Sequence, residues 1–133
     1  MKNKFAAFFC LFAGFFMMSF PVLAHHGGSM YDQLHPVTLK GTVTQFYWAN
    51  PHCQIYMDVK DSQGKVVNWV VETLAPAVMK RAGWSSHLLH PGDEITLTVV
   101  PSKNGTPVGM VRKLVLANGE EYGPGTLGEQ PPK

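Results

Sequence analysis

Cysteine is nearly absent from this 133-residue chain, which holds only Cys10 and Cys53. Cys10 lies inside an almost wholly apolar run from Phe5 to Phe20, behind a short basic start, Met1-Lys2-Asn3-Lys4. Pro21-Val22-Leu23-Ala24 then places small residues at −3 and −1 of a cleavage point, the order of a secretory signal peptide. Loss of residues 1–24 leaves Cys53 without a partner, which excludes an intramolecular disulfide in an oxidising compartment. Excess charge is missing too. The chain has eleven Lys and Arg against nine Asp and Glu, and Lys2 and Lys4 leave with the leader. A balance near zero gives no basic footprint for nucleic acid. No Ser-His-Asp order, carboxylate pair or glycine-rich phosphate loop stands out, so the usual hydrolase and phosphotransferase chemistries find no support. Repeats and low-complexity blocks are lacking as well.

What remains is the size of one small domain, 109 residues that contain all six histidines. The expectation is an exported, periplasmic or secreted bacterial protein with no stable membrane span once the leader is cut. Residues 25–36 carry Gly27-Gly28-Ser29 and no clear period, which predicts an extended N-terminal arm. Val37 to Trp48 is rich in β-branched and aromatic residues, with Gly41 as a bend, and Asn50-Pro51 ends it. Cys53, Ile55, Met57 and Val59 alternate with Gln54, Tyr56 and Asp58, a half-buried strand. A loop from Lys60 to Gly64 leads into a third strand, Val66 to Glu72, where Trp69 is expected to point inward with Val67 and Val71. Pro76 and Gly83 bracket a helix within Thr73 to Ala82. Ser85 is positioned to cap one further turn. Ile95, Leu97 and Val99 form a fourth strand and Met110 to Leu116 a fifth. Asn118-Gly119 then turns into a short sixth at Glu120 to Tyr122. The tail, residues 123–133, is rich in Gly and Pro and reads as unstructured. Three strands, a helix, then two strands is the order of the OB-fold. We therefore expect a mainly β domain over residues 37–122: a five- to six-stranded, partly open OB-like barrel with one helix between strands three and four.

Several of these stretches carry a joint pattern. Ala24 precedes His25-His26, and Val37-Thr38-Leu39-Lys40-Gly41-Thr42-Val43 follows. Trp48-Ala49-Asn50-Pro51-His52, Gly83-Trp84-Ser85 and Pro91-Gly92-Asp93-Glu94 complete it. The pattern resembles a family of small exported bacterial proteins whose domain is of unknown function, over about His25 to Leu116. The resemblance implies a small exported β-barrel and no particular activity. In such relatives a bulky apolar residue is expected where this chain has Cys53.

Cleavage after Ala24 makes His25 the first residue. Its free α-amine and its own Nδ1 then chelate one metal ion, and one further imidazole completes a T-shaped nitrogen set of the kind that suits Cu(II). This arrangement resembles the histidine brace of copper monooxygenases and some periplasmic copper carriers. His26, His35 and His52 are candidates for the third nitrogen. His52 is preferred, because Pro51 fixes its turn and its strand parity is opposite to that of Cys53. The plainer alternative is that His25-His26 is a solvated arm. His35, His87 and His90 read as turn or surface residues. Cys53 reads as a small core hydrophobe rather than a reactive thiol, since adjacent strand residues face opposite ways. A different class of role is a metal-free binding module for an envelope protein or glycan, using Trp48, Tyr56 and Asp58. Copper is thus the one expected cofactor, at His25, His26 and His52, with no catalytic residue assigned and no enzyme activity expected.

Overall fold

The computed structural model describes residues 28–124. The leader, His25, His26 and most of the tail lie outside the described residues.

Six strands and one helix follow a three-residue 3-10 turn at Gly28–Met30: β1 (Val37–Tyr47), β2 (Gln54–Lys60), β3 (Val66–Glu72), α1 (Pro76–Arg81), β4 (Glu94–Pro101), β5 (Val108–Leu116) and β6 (Glu121–Tyr122). Neighbours in the sheet run β3-β2-β1-β4-β5-β6. A parallel pairing of Val70, Val71 and Glu72 with Val108, Gly109 and Met110 joins the two sides, so five strands close on themselves and β6 is added to β5. The expected OB-like barrel is therefore present, with its single short helix between β3 and β4. The fifth strand begins at Val108, two residues earlier than its own alternation indicates, because the seam with β3 recruits Val108 and Gly109.

Closing five strands needs close approaches that a side chain would block. Gly41 pairs with Val59 of β2 and Ile95 of β4 at once. A Cβ there would lie 2.2 Å from the Asp58 carbonyl oxygen. Bulges shift the register at Thr44 of β1, between the pairs of Val43 and Gln45, and at Arg112 of β5, opposite Thr98 and Val99. Such bulges bend a strand and reverse which residues face inward. The interior is filled by Val43, Ile55, Met57, Val71, Leu97, Val99 and Leu114 from the strands, and by Met79 from α1. Val67 and Trp69 are half-buried on the inward side of β3, as alternation requires, while Val71 is fully buried.

The helix is only six residues long, too short to persist alone, and its docking depends on Met79, which is fully buried. Pro76 supplies the first turn, Lys80 and Arg81 complement the carbonyl end, and Gly83 leaves it at φ 86°. After it, Ser85 Oγ accepts the His87 amide and Ser85 O accepts the Leu88 amide, which makes a turn rather than a second helix. Trp84 is buried and donates its indole N–H to the Gly123 carbonyl at 2.7 Å, tying the residue after β6 to the barrel.

The described part of the N-terminal arm lies against the barrel. Lys103 donates its amide to the Met30 carbonyl at 2.9 Å, and Asp32 donates to the Pro101 carbonyl at 2.8 Å. These bonds flank a single bridge between Tyr31 and Ser102 that extends the β4 edge.

Candidate functional site

The β1–β2 connection places His52. Asn50–Pro51 is cis, and one residue past His52 the backbone is locked. The Cys53 amide donates to Leu74 O at 3.0 Å, and Cys53 O accepts both the Thr73 amide at 2.9 Å and Thr73 Oγ1 at 3.1 Å. Cys53 is fully buried in the core, whereas His52 is exposed beside it. The two side chains thus face opposite ways and share no ligand set. Burial pushes the Cys53 thiol above its ordinary value, against smaller opposing contacts from Thr73 and the Ala49 backbone. A protonated, enclosed thiol is a poor nucleophile.

The arm reaches the same end of the barrel through Tyr31. Its ring is buried, 8% exposed, and its hydroxyl donates to Glu72 Oε2 at 3.2 Å. Burial raises the Tyr31 phenol first, and the adjacent Glu72 carboxylate raises it further by charge and hydrogen bond. Glu72 is the register partner of Gln54, two residues beyond His52. Two arm residues further on, Arg112 donates to the Gln33 side chain.

Each of the other described histidines has a local role. His35 Nδ1 lies 2.9 Å from Asp32 Oδ2, and that hydrogen bond is the main reason the exposed Asp32 carboxyl sits below its ordinary range. His90 Nδ1 lies 3.8 Å from Asp93 Oδ2, inside the turn ahead of β4. His87 is exposed after α1. Among the described residues no group of three or more His, Cys, Asp or Glu side chains is placed to hold a metal ion. His25 and His26 fall outside the described residues, so only His52 of the proposed ligands has a described position.

The outer face of β1, β2 and β3 differs from its sequence reading at one residue. Trp48 is half-buried and edge-on to Phe46, with ring centroids 5.5 Å apart, and packs on the core. Tyr47 takes the open position instead, 49% exposed. The bulge after Val43 is the cause: it inverts the alternation, so Phe46 and Trp48 turn in and Tyr47 turns out. Tyr47, Gln54 and Glu72 form one row across the three strands, and Gln45, Tyr56 and Val70 form the next. The Tyr56 hydroxyl donates to Gln54 Oε1 at 2.9 Å, while Asp58 accepts from Asn68 Nδ2 at 2.5 Å. Asp58 is therefore engaged within the sheet, and the aromatic, amide and carboxylate groups collect near the end where Tyr31 docks. Sequence reasoning assigns no role to Glu72 and does not single out Tyr31. The contact links positions 41 apart with no shared periodicity to announce it.

A family model for DUF6152, described as a family of unknown function, matches residues 14–112. No curated protein and no solved structure matches the chain.

Proposed function

The chain belongs to the DUF6152 family, whose function is not established, and we propose that this member is exported and binds or carries copper. Cleavage after Ala24 frees the His25 amine; that amine, the His25 imidazole and the His52 imidazole supply the three nitrogens, with His26 as the substitute third ligand. The observation that carries the reading is the anchoring of Tyr31 on Glu72, at the barrel end where His52 stands exposed. Strand spacing of about 4.8 Å and a rise of about 3.3 Å per residue put Glu72 within about 10 Å of His52. With Gly28–Met30 held as a 3-10 turn that rises about 2 Å per residue, and up to about 3.3 Å for each residue before it, the reach from Tyr31 back to His25 is about 16 Å. The arm is long enough for its first residue to meet His52 without releasing its anchor. An α-amine with an ordinary pKa near ~8 gives up its proton to Cu(II) at neutral pH.

The test is a Cu(II) titration with EPR on protein matured by natural export, after intact mass confirms that it begins at His25. A chain with one extra residue ahead of His25 is the control. Tight one-to-one binding with an axial, nitrogen-rich spectrum is expected, lost in the extended chain and weakened by His52→Ala. Weak binding equal in both chains sinks the copper reading.

A second reading, a metal-free module for an envelope protein or glycan, is favoured by the exposure of Tyr47 in a row with Gln54 and Glu72, beside Tyr56. Flat aromatic faces with amides at their edges suit stacking against sugar rings or peptide planes. This reading is indifferent to the residue ahead of His25 and predicts that Tyr47→Ala abolishes capture of the partner.

A further inference from the structure

A groove of about 260 Å³ lies along the seam where β3 meets β5, outside the barrel core. Gln33 of the arm lines it together with Glu72, Leu74, Val100, Met110 and Arg112. Its chemistry is two-ended. Among the described residues Glu72 accepts from the neutral Tyr31 hydroxyl, and Arg112 donates to the neutral Gln33 amide. Neither has an oppositely charged partner among the described residues, whose ion pairs are His35–Asp32, His90–Asp93 and Lys113–Glu121. Between the two charges the lining is mostly apolar, Leu74, Val100 and Met110, with Thr73 beside Glu72. Val100 is almost fully buried there although it lies outside the main core cluster, because it follows the inward-facing Val99 on β4 and so points to the opposite face.

The groove also has a strand edge. β5 pairs with β3 through Met110 and with β6 from Leu114 onward. Val111, Arg112 and Lys113, between these pairings, have no strand partner on that side among the described residues. A backbone edge three residues long offers an extended ligand the hydrogen bonds of strand addition.

We propose that this groove binds a short peptide with free termini, a dipeptide in its simplest form, with the ammonium at Glu72 and the carboxylate at Arg112. Arg112 lies two residues along β5 from the register partner of Glu72, so the two Cα atoms are about 8 Å apart. A single amino acid carries both charges on one Cα. A dipeptide separates them by a further Cα step of about 3.8 Å. The volume sits just below the roughly 300–1,000 Å³ of drug-sized ligand sites, which excludes long peptides as fully enclosed ligands. Guanidinium–carboxylate recognition is geometrically selective, and the apolar lining accepts an aliphatic side chain. Neither His25 nor His52 takes part, so this site stands or falls apart from copper binding.

The experiment is calorimetric titration of the metal-free mature protein with Ala-Leu, N-acetyl-Ala-Leu and Ala-Leu amide. Ala-Leu binds saturably, and blocking either terminus weakens it about tenfold or more, as expected for a lost charge-assisted hydrogen bond. Glu72→Gln erases the penalty for acetylation, and Arg112→Gln erases the penalty for amidation. Circular dichroism checks each fold; if Glu72→Gln does not fold, the exposed Arg112 variant decides alone. Absence of saturable binding up to millimolar Ala-Leu overturns the proposal. So does equal affinity for free and blocked dipeptides, or an amidation penalty that survives Arg112→Gln.

Discussion

Tyr31 fastens the N-terminal arm by a single side-chain hydrogen bond to a half-buried carboxylate. Removing the hydroxyl leaves Glu72 without its donor and the ring in place, so Tyr31→Phe is expected to cost about 1 kcal/mol. Amide exchange is expected to quicken at Asp32 and Lys103, whose N–H groups hold the arm, and unchanged exchange there would refute the anchoring role. The fold raises the Tyr31 phenol above its ordinary value. The stability this residue contributes is therefore complete below about pH 10 and is lost as pH climbs through the raised value. Thermal melts at pH 8 and above pH 10 should show wild type losing more than Tyr31→Phe. A constant gap between the two would mean that the phenol is not coupled to folding.

At the scale of strands, Gly41 carries the tightest constraint. An added Cβ meets backbone, the Asp58 carbonyl oxygen at 2.2 Å, and backbone has no rotamer through which to retreat. Gly41→Ala is expected to cost about 2–3 kcal/mol by overpacking, read as a fall in Tm; a variant that melts like wild type would show that β1 and β2 have slack here. Strand identity was legible wherever one face is apolar. The third strand, Val66–Glu72, falls where its β-branched run lies, and the glycines at 64, 83, 92, 105 and 119 all mark positive-φ positions. The bulge in β1 was not legible, because an inserted residue such as Thr44 has no signature beyond a break in alternation. Since that break inverts the parity of everything after it, sequence alone offers Trp48 rather than Tyr47 as the binding aromatic, and the structure exchanges the two. The seam between β3 and β5 was equally silent. It depends on two segments far apart in the chain reaching the same edge, and neither segment encodes the other. His52 and Cys53, by contrast, were separable from sequence, since one step along an extended chain sends neighbours to opposite sides.

The described residues share one continuous core, to which every barrel strand and the helix contribute. Its loss should therefore be cooperative. Leu114→Ala, at a fully buried site on β5, is expected to cost about 2–5 kcal/mol, a large part of the roughly 5–15 kcal/mol available to a native domain. Far-UV circular dichroism and the fluorescence of Trp48, Trp69 and Trp84 together should report one shared transition. Separate midpoints would divide the barrel into two folding units.

The β3–β5 pairing has a bearing on how the protein is made. Strands β1, β2 and β3 pair as consecutive hairpins and β4 returns to β1 from the far side of the helix, but the ring joins only when Val108 to Met110 arrive. Synthesis from the N-terminus thus leaves four strands with an open β3 edge until almost the whole barrel has emerged. Val66, already exposed in the finished protein, and its β-branched neighbours present that edge to any other nascent copy in the meantime. The interval before residue 110 appears is when this chain most needs a chaperone, or isolation from its siblings.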